Sequence, residues 1–133
     1  MILKNVYHLS LVLGLLMFSC GEPEEQKSPE ELEIEKKSKE NNAQFHYRTG
    51  LAKFGLYVSM MEIHVREMEY VTEETGTLKS AMDAKKKAED SFKESIDLLP
   101  EYASADSSRL YLDSISYYKD YFQVELDKIY NNN

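Results

Sequence analysis

The spacing of apolar residues between positions 45 and 71 predicts a long amphipathic helix. Apolar residues recur there at alternating intervals of three and four, which is the heptad pattern of a helix that packs along one seam. Other apolar residues widen the apolar arc to more than half of the helix circumference. A surface helix usually has a narrower stripe, so this helix is expected either to lie between neighbours or to present an apolar face to a partner. The predicted seam consists of Leu51, Phe54, Val58, Met61, Val65 and Met68.

Two further helices are predicted downstream, over about residues 77–99 and 103–130. Gly76 is expected to end the first helix in a left-handed conformation, and Pro100 is expected to end the second. The stripe of the second helix is rich in small residues, which favours close helix approach, and comprises Leu78, Ala81, Lys85, Ala88, Phe92, Ser95 or Ile96, and Leu99. The seam of the third helix is Tyr111, Ile115, Tyr118, Phe122, Leu126 and Ile129, with Leu110, Tyr117, Tyr121 and Val124 alongside.

The predicted fold is therefore all-α, an antiparallel three-helix bundle over residues 43–130. Short connections between long helices place consecutive helices side by side and antiparallel. Upstream, Ser28, Pro29 and Glu31 match the pattern of a helix start, with a capping serine and a glutamate three positions later. Residues 29–40 are thus predicted either as a fourth, solvated helix or as an extension of the first.

Residues 20–42 form an acidic segment that is expected to act as a spacer. Between positions 21 and 42 the chain has eight glutamates and four lysines, and its only sizeable apolar residues are Leu32 and Ile34. A segment of this composition buries too little apolar surface to offset the entropy lost on ordering. The expected role is to hold the bundle away from whatever anchors the chain.

The first twenty residues have the three parts of a secretory signal. Lys4 precedes a short apolar run, and the run ends at Ser19-Cys20-Gly21. This segment resembles a bacterial lipoprotein signal peptide. The resemblance implies that residues 1–19 are removed and that Cys20, the one cysteine of the chain, becomes an acylated first residue that carries a diacylglyceryl group and palmitate. It also implies a lipid-anchored envelope protein, and Gly21 favours the outer membrane; an ordinary cleaved signal and an uncleaved anchor are the alternatives.

Composition and charge argue against some classes of function. The formal net charge of −8 is unfavourable for nucleic-acid binding, which depends on clustered cations, and it favours a basic partner. No catalytic motif is present, and neither an enzyme nor a cofactor is predicted.

The expected function is that of a membrane-tethered, non-enzymatic lipoprotein that acts through protein–protein contacts or self-association. The apolar residues left over beside the seam predict the contact surface: Leu56, Met60, Ile63 and Tyr70.

The alternative function is a carrier of a small ligand or of copper. Met60, His64 and Met68 lie at intervals of four, and thioether and imidazole groups suit Cu(I). The two outer sulfur atoms are about 12 Å apart by helix rise, so one helix cannot wrap all three ligands around one ion. Core packing is therefore the favoured explanation for these residues. An aromatic ligand platform of third-helix tyrosines is likewise weighed against tyrosines that line a small core.

Overall fold

A computed structural model describes residues 27–70 and 76–132, and these residues form three α-helices. Helix α1 spans Pro29–Met68, α2 spans Gly76–Leu98 and α3 spans Ala103–Asn132. No strand occurs among the described residues. The predicted all-α three-helix bundle is confirmed. The signal segment, Cys20 and the glutamates that follow it lie outside the described residues.

The chain divides into two compact units, Met1–Leu32 and Glu33–Asn133. Of the first unit, residues 27–32 are described, and they contain the start of α1. Here the Ser28 backbone N–H donates to the Glu31 carboxylate at 2.7 Å, and the Glu31 N–H donates to Ser28 Oγ at 3.2 Å. This reciprocal pair is the predicted capping box. It provides partners for two of the N–H groups that a helix start leaves unpaired.

Helix α1 is 40 residues long, because the acidic segment continues into the bundle without a break. Residues 29–42 are therefore an extension of the first bundle helix rather than a separate fourth helix. In the second unit, residues 33–39 are mostly exposed, as the charge pattern predicts, and burial begins with Ala43. One ion pair of this stretch, Lys39–Glu35 at 3.1 Å, links successive turns.

The helices run up, down and up around a shared core. The Tyr47 ring, about midway along α1, lies 6.3 Å from Phe92 near the end of α2 and 6.3 Å from Tyr111 near the start of α3. Farther along, Tyr57 of α1 lies 6.1 Å from Phe122 of α3. The two α1–α3 contacts advance together along both helices, so α3 is parallel to α1. In α2 the order is reversed, because Met61 clusters with Ala81 near the start of α2, so α2 is antiparallel to α1.

The core seam of α1 differs from the predicted one by a rotation of the helix. Met61 and Met68 are buried as predicted, and the other four predicted seam residues are partly buried and pack against the core: Leu51, Phe54, Val58 and Val65. The second row of the seam is instead Ala43, Gly50, Tyr57 and His64, all of which are buried. A hydrophobicity pattern gives no weight to glycine or histidine, so the side on which the neighbouring helices approach most closely was not recognised.

The stripes of α2 and α3 largely follow the prediction. In α2 the buried residues are Ala81, Ala84, Ala88, Phe92 and Ser95, and the alanines allow the close approach that small residues permit. In α3 Ile115 and Phe122 are buried, and the other seam residues are partly buried. The four residues predicted alongside this seam are exposed instead: Leu110, Tyr117, Tyr121 and Val124.

The prediction that Gly76 ends the first helix is wrong. Gly76 is the first residue of α2 and has no positive φ, so it does not end α1 in a left-handed conformation. Helix α1 ends earlier, at Met68. There the N–H groups of Glu69 and Tyr70 donate to the carbonyl groups of Arg66 and Glu67, which closes the last turn more tightly than an α-helix. Helix α2 ends two residues before Pro100, as a proline stop requires.

Aromatic rings form a continuous ladder through the core. Phe92 stacks on Tyr111 with ring centroids 5.4 Å apart and planes 9° from parallel. Tyr111 in turn meets Phe54 edge to face, and Phe54 meets Tyr118 in the same way. Aromatic contacts of this geometry add to the stabilisation that burial alone provides. The complete ladder is Tyr47, Phe92, Tyr111, Phe54, Tyr118, Phe122 and Tyr57.

Candidate interaction surfaces

The outward face of α1 carries a row of exposed apolar side chains, here called the α1 row: Phe45, Leu56 and Ile63. Intervals of eleven and seven residues place the three within about 20° of one another around the helix. They lie on the side opposite Ala43 and Met61, which face the core. The row therefore lies on the side of α1 that faces away from the core.

Three of the four residues predicted as a contact surface are exposed. The exposed fractions are 42% for Leu56, 48% for Ile63 and 85% for Tyr70. Tyr70 follows the end of α1, in the turn closed by its N–H bond to Glu67. Met60 is the exception, since it is partly buried and packs against the core. Phe45 was missed because it precedes Leu51, the first residue of the predicted seam, although its spacing from Leu56 and Ile63 could have identified it.

Leu56 and Met60 also line a groove of about 200 Å³ between α1 and α2. Lys53 on α1 and Lys87 on α2 contribute positive charges, and Asp83 contributes a negative one. Helix α2 completes the lining with Ser80 and Ala84. The groove thus combines two apolar side chains with charges of both signs at the edge of the α1 row.

The candidate metal residues occupy different environments. His64 is 2% exposed and Met68 is buried in the seam, whereas Met60 lies at the groove. His64 has an interaction partner within the protein. In the described part of the chain, no group of three or more histidine, cysteine, aspartate or glutamate side chains is arranged to hold a metal ion.

The outward face of α2 is polar, in contrast to that of α1. Its one large apolar residue is Met82, which is 43% exposed. Around it lie charged residues of both signs, and Lys85 forms an ion pair with Glu89 one turn later. The second helix therefore has the solvated face that a surface helix normally shows.

The outward face of α3 is apolar along its middle. Four exposed apolar residues lie there on one side of the helix and are here called the α3 strip: Leu110, Tyr117, Tyr121 and Val124. The tyrosines of this helix thus fall into two groups. Tyr111 and Tyr118 belong to the core ladder, whereas Tyr117 and Tyr121 lie on the surface and make ring contacts to the ladder residue Tyr118.

Among the residues that the structure describes, two tyrosine hydroxyl groups have a raised pKa. Burial raises the pKa of Tyr57 to about 12, and the negative charges of Glu89 and Asp120 act in the same direction. A hydrogen bond donated to the Glu40 carboxylate raises the pKa of Tyr102, with smaller effects from lost hydration and from the charge of Glu40. Neither hydroxyl is paired with a histidine or lysine in these interactions, so neither has an evident base to activate it.

None of the helices in the described ranges has a stretch long and apolar enough to cross a bilayer.

Comparison with known proteins gives no relative: no family model, curated protein or solved structure matches the chain.

Proposed function

We propose that this protein is a lipid-anchored, non-enzymatic protein of the bacterial cell envelope that acts by binding another protein. The observation that carries the proposal is the α1 row. A packed helix is normally polar on its outward face, yet Phe45, Leu56 and Ile63 are exposed there. Exposed apolar residues that share one helix face and are rimmed by polar groups favour a site of protein–protein contact.

The binding surface consists of the α1 row together with the adjacent groove and Tyr70. Leu56 belongs to both the row and the groove, so a partner side chain could fill the groove while the rest of its surface covers the row. Lys53, Asp83 and Lys87 would then lie at the rim and select a partner with complementary charges. Apolar anchors surrounded by a polar rim are the usual arrangement of energetically important interface residues.

The proposed anchor is Cys20, and the support for it is the lipoprotein-like leader. Two or more acyl chains bind a membrane stably, whereas a single chain binds it only marginally. The acidic chain would be repelled by anionic lipids without such an attachment. The proposed location is the outer membrane, with α1 beginning nine residues after the acylated cysteine.

The binding proposal is tested by Ile63→Glu in the full chain, with Met82→Glu as the matched control. The exposed fractions of the two residues, 48% and 43%, are similar, and both lie on outward helix faces. Cross-links from the wild-type chain to proteins of other sequence in intact cells are expected to be lost with Ile63→Glu and retained with Met82→Glu. Far-ultraviolet circular dichroism checks that both variants keep their helix content. The proposal fails if both variants retain the same cross-linked partners, or if Ile63→Glu unfolds the bundle.

The anchor is tested separately by mass spectrometry of the mature amino terminus. The expected species begins at Cys20 and carries acyl chains. Replacement of Cys20 by serine is expected to move the protein from the membrane fraction to the soluble fraction. Retention of residues 1–19 in the mature protein would refute the proposed anchor without bearing on the binding surface of α1.

A further inference from the structure

The four residues of the α3 strip form a narrow apolar band. Their intervals of seven, four and three residues place them within about 60° of one another around the helix, and the band is about 21 Å long. They lie opposite Ile115 and Phe122, which face the core. Leu110 is 67% exposed and Tyr117 is 65% exposed, so the bundle itself covers little of the band.

Opposite charges lie at the two ends of this band. Asp106 continues it at the amino-terminal end, and Lys128 continues it at the carboxyl-terminal end. Each has one ion-pair partner on its own helix, Arg109 at 2.7 Å and Glu125 at 2.6 Å respectively. Both side chains nevertheless remain well exposed, at 77% for Asp106 and 60% for Lys128. Along the helix, the order is therefore acid, apolar band, base.

We propose that the α3 strip binds the α3 strip of a second copy of this chain, with the two helices antiparallel. Antiparallel pairing about a two-fold axis at Tyr117 brings Leu110 of each copy opposite Val124 of the other. The same register brings Asp106 of each copy opposite Lys128 of the other, at both ends of the interface. A single register thus matches the apolar residues and the terminal charges together, which is the self-complementarity that a two-fold interface requires.

Other pairings match less well. Parallel pairing would set Asp106 against Asp106 and Lys128 against Lys128, and like charges in opposition are unfavourable. The outward face of α2 offers mainly charged residues around Met82. The antiparallel pair has one unfavourable feature, since Asp113 of one copy approaches Asp120 of the other along one edge. This repulsion is between exposed charges, which salt screens, and the apolar contacts of the band oppose it.

The charge register is tested with Asp106→Lys and Lys128→Asp in the full chain, purified in detergent. Each variant alone would place like charges opposite each other at both ends, and we expect its dimer to dissociate roughly tenfold more readily. An equimolar mixture of the two variants restores opposite charges at both ends of a mixed dimer. Sedimentation equilibrium is expected to show that the mixture dimerises as well as the wild type. The double variant should also recover wild-type dimerisation.

The apolar contact is tested with Tyr117→Glu, for which Met82→Glu is the control. Tyr117→Glu is expected to yield a monomer and Met82→Glu a dimer, with unchanged helix content in both. Leu110→Glu provides an independent second variant at the end of the band. In cells, Tyr117→Cys is expected to form a disulfide-linked dimer on mild oxidation, whereas Met82→Cys is not. The wild-type chain has Cys20 but no cysteine at position 117, so it is the control for disulfide linkage through Cys20.

Several results would overturn the proposal. They are a wild-type chain that stays monomeric at its highest soluble concentration, a dimer that survives Tyr117→Glu, and a mixture of charge variants that dimerises no better than either alone. Binding of a different protein through the strip would appear as cross-links from Tyr117→Cys to another chain, with no homodimer. Ile63→Glu separates this proposal from the one for α1, because it should leave the dimer intact.

Discussion

Gly50 of α1 lies directly against the ring of Phe92 of α2. A Cβ atom at position 50 would lie 2.6 Å from Cε1 and 2.7 Å from Cδ1 of that ring. Phe92 is itself completely buried and stacks on Tyr111, so the ring has little room to move. The glycine therefore sets how closely the first two helices approach.

Gly50→Ala is expected to destabilise the bundle by about 1–3 kcal/mol, the usual range for overpacking a core. The clash should outweigh the gain of up to about 1 kcal/mol that alanine brings to a helix interior. Gly55→Ala is the matched control, because a Cβ atom there meets nothing within 4 Å. It should stabilise the protein by about 0.5–1 kcal/mol. Urea unfolding measures both changes.

The Phe92 contact can be checked as the cause. In a Phe92→Leu background the side chain opposite position 50 is smaller, so Gly50→Ala should cost less than in the wild-type background. An equal cost in both backgrounds would show that the ring is not what excludes a larger residue.

Tyr57→Phe is expected to leave the protein as stable as the wild type or more stable. The Tyr57 hydroxyl is buried and, within the described residues, has no hydrogen-bond partner, so its removal relieves a cost of desolvation that ranges from about 1 to 3 kcal/mol. Thermal unfolding near neutral pH measures the effect. A clear loss of stability would mean that the hydroxyl has a partner after all.

The same residue gives a prediction for alkaline pH. The pKa of Tyr57 is raised to about 12 in the folded protein, whereas an unfolded tyrosine ionises near pH 10. The unfolded state therefore loses its proton first, and stability should be complete below about pH 10 and decline as the pH rises toward 12. The wild type should lose more stability than Tyr57→Phe across this interval. Parallel pH profiles of the two proteins would contradict this explanation.

Glu40 and Tyr102 tie α1 to the turn between α2 and α3. Their hydrogen bond raises the pKa of Tyr102, so its contribution to stability should be present below pH 10 and should decline at higher pH. Glu40→Gln and Tyr102→Phe are each expected to destabilise the protein slightly, and the double variant should lose less than the two effects added together. Additive effects in this double-mutant cycle would mean that the pair does not interact.

The first turn of α1 should weaken in acid. The backbone N–H of Ser28, followed by its hydroxyl, holds the pKa of Glu31 below the ordinary value of 4.5. The contribution of the ionised glutamate is thus present above pH 4.5 and is lost as the pH falls through the lower folded pKa. NMR titration should show a pKa for Glu31 below the ordinary glutamate value. Glu31→Gln should remove this acid dependence from amide exchange in the first turn.

Copper is expected not to stabilise the protein. His64 is buried with a partner of its own, and Met68 is a core residue, so an ion could use them only by disturbing the packing. Thermal unfolding of the full chain with added Cu(I) should match that of the chain without it. A copper-dependent increase in melting temperature that His64→Ala abolishes would instead support the carrier hypothesis.

The sequence was sufficient to predict the helices because two of their seams are strongly periodic. The capping box at Ser28 and the end of α2 before Pro100 could also be predicted, since both depend on residues that are close together in the sequence. The rotation of α1 could not be predicted, because it depends on which side chains of α2 fill the space beside α1. Gly50 carries no hydrophobic signal, and its position follows from the Phe92 ring rather than from any local pattern.

The candidate surfaces were predicted in part. The wide apolar arc of α1 correctly indicated that Leu56 and Ile63 are not needed in the core. In α3 the apolar arc was equally wide, but all of its residues were assigned to the neighbourhood of the seam. Periodicity cannot distinguish a second buried row from an exposed one, since this depends on whether another helix lies beside it. Which apolar residues of α1 and α3 are exposed therefore follows from the packing of the three helices and not from the sequence pattern of either helix.

The aromatic ladder also makes the folded core observable by spectroscopy. The chain has ten tyrosines and no tryptophan, so its near-ultraviolet circular dichroism comes from tyrosine and phenylalanine alone. Rings held in fixed, asymmetric contact give such a signal, and rings in a loosely packed helical state do not. A variant that keeps its far-ultraviolet spectrum but loses this tyrosine band would therefore have retained its helices while losing their alignment.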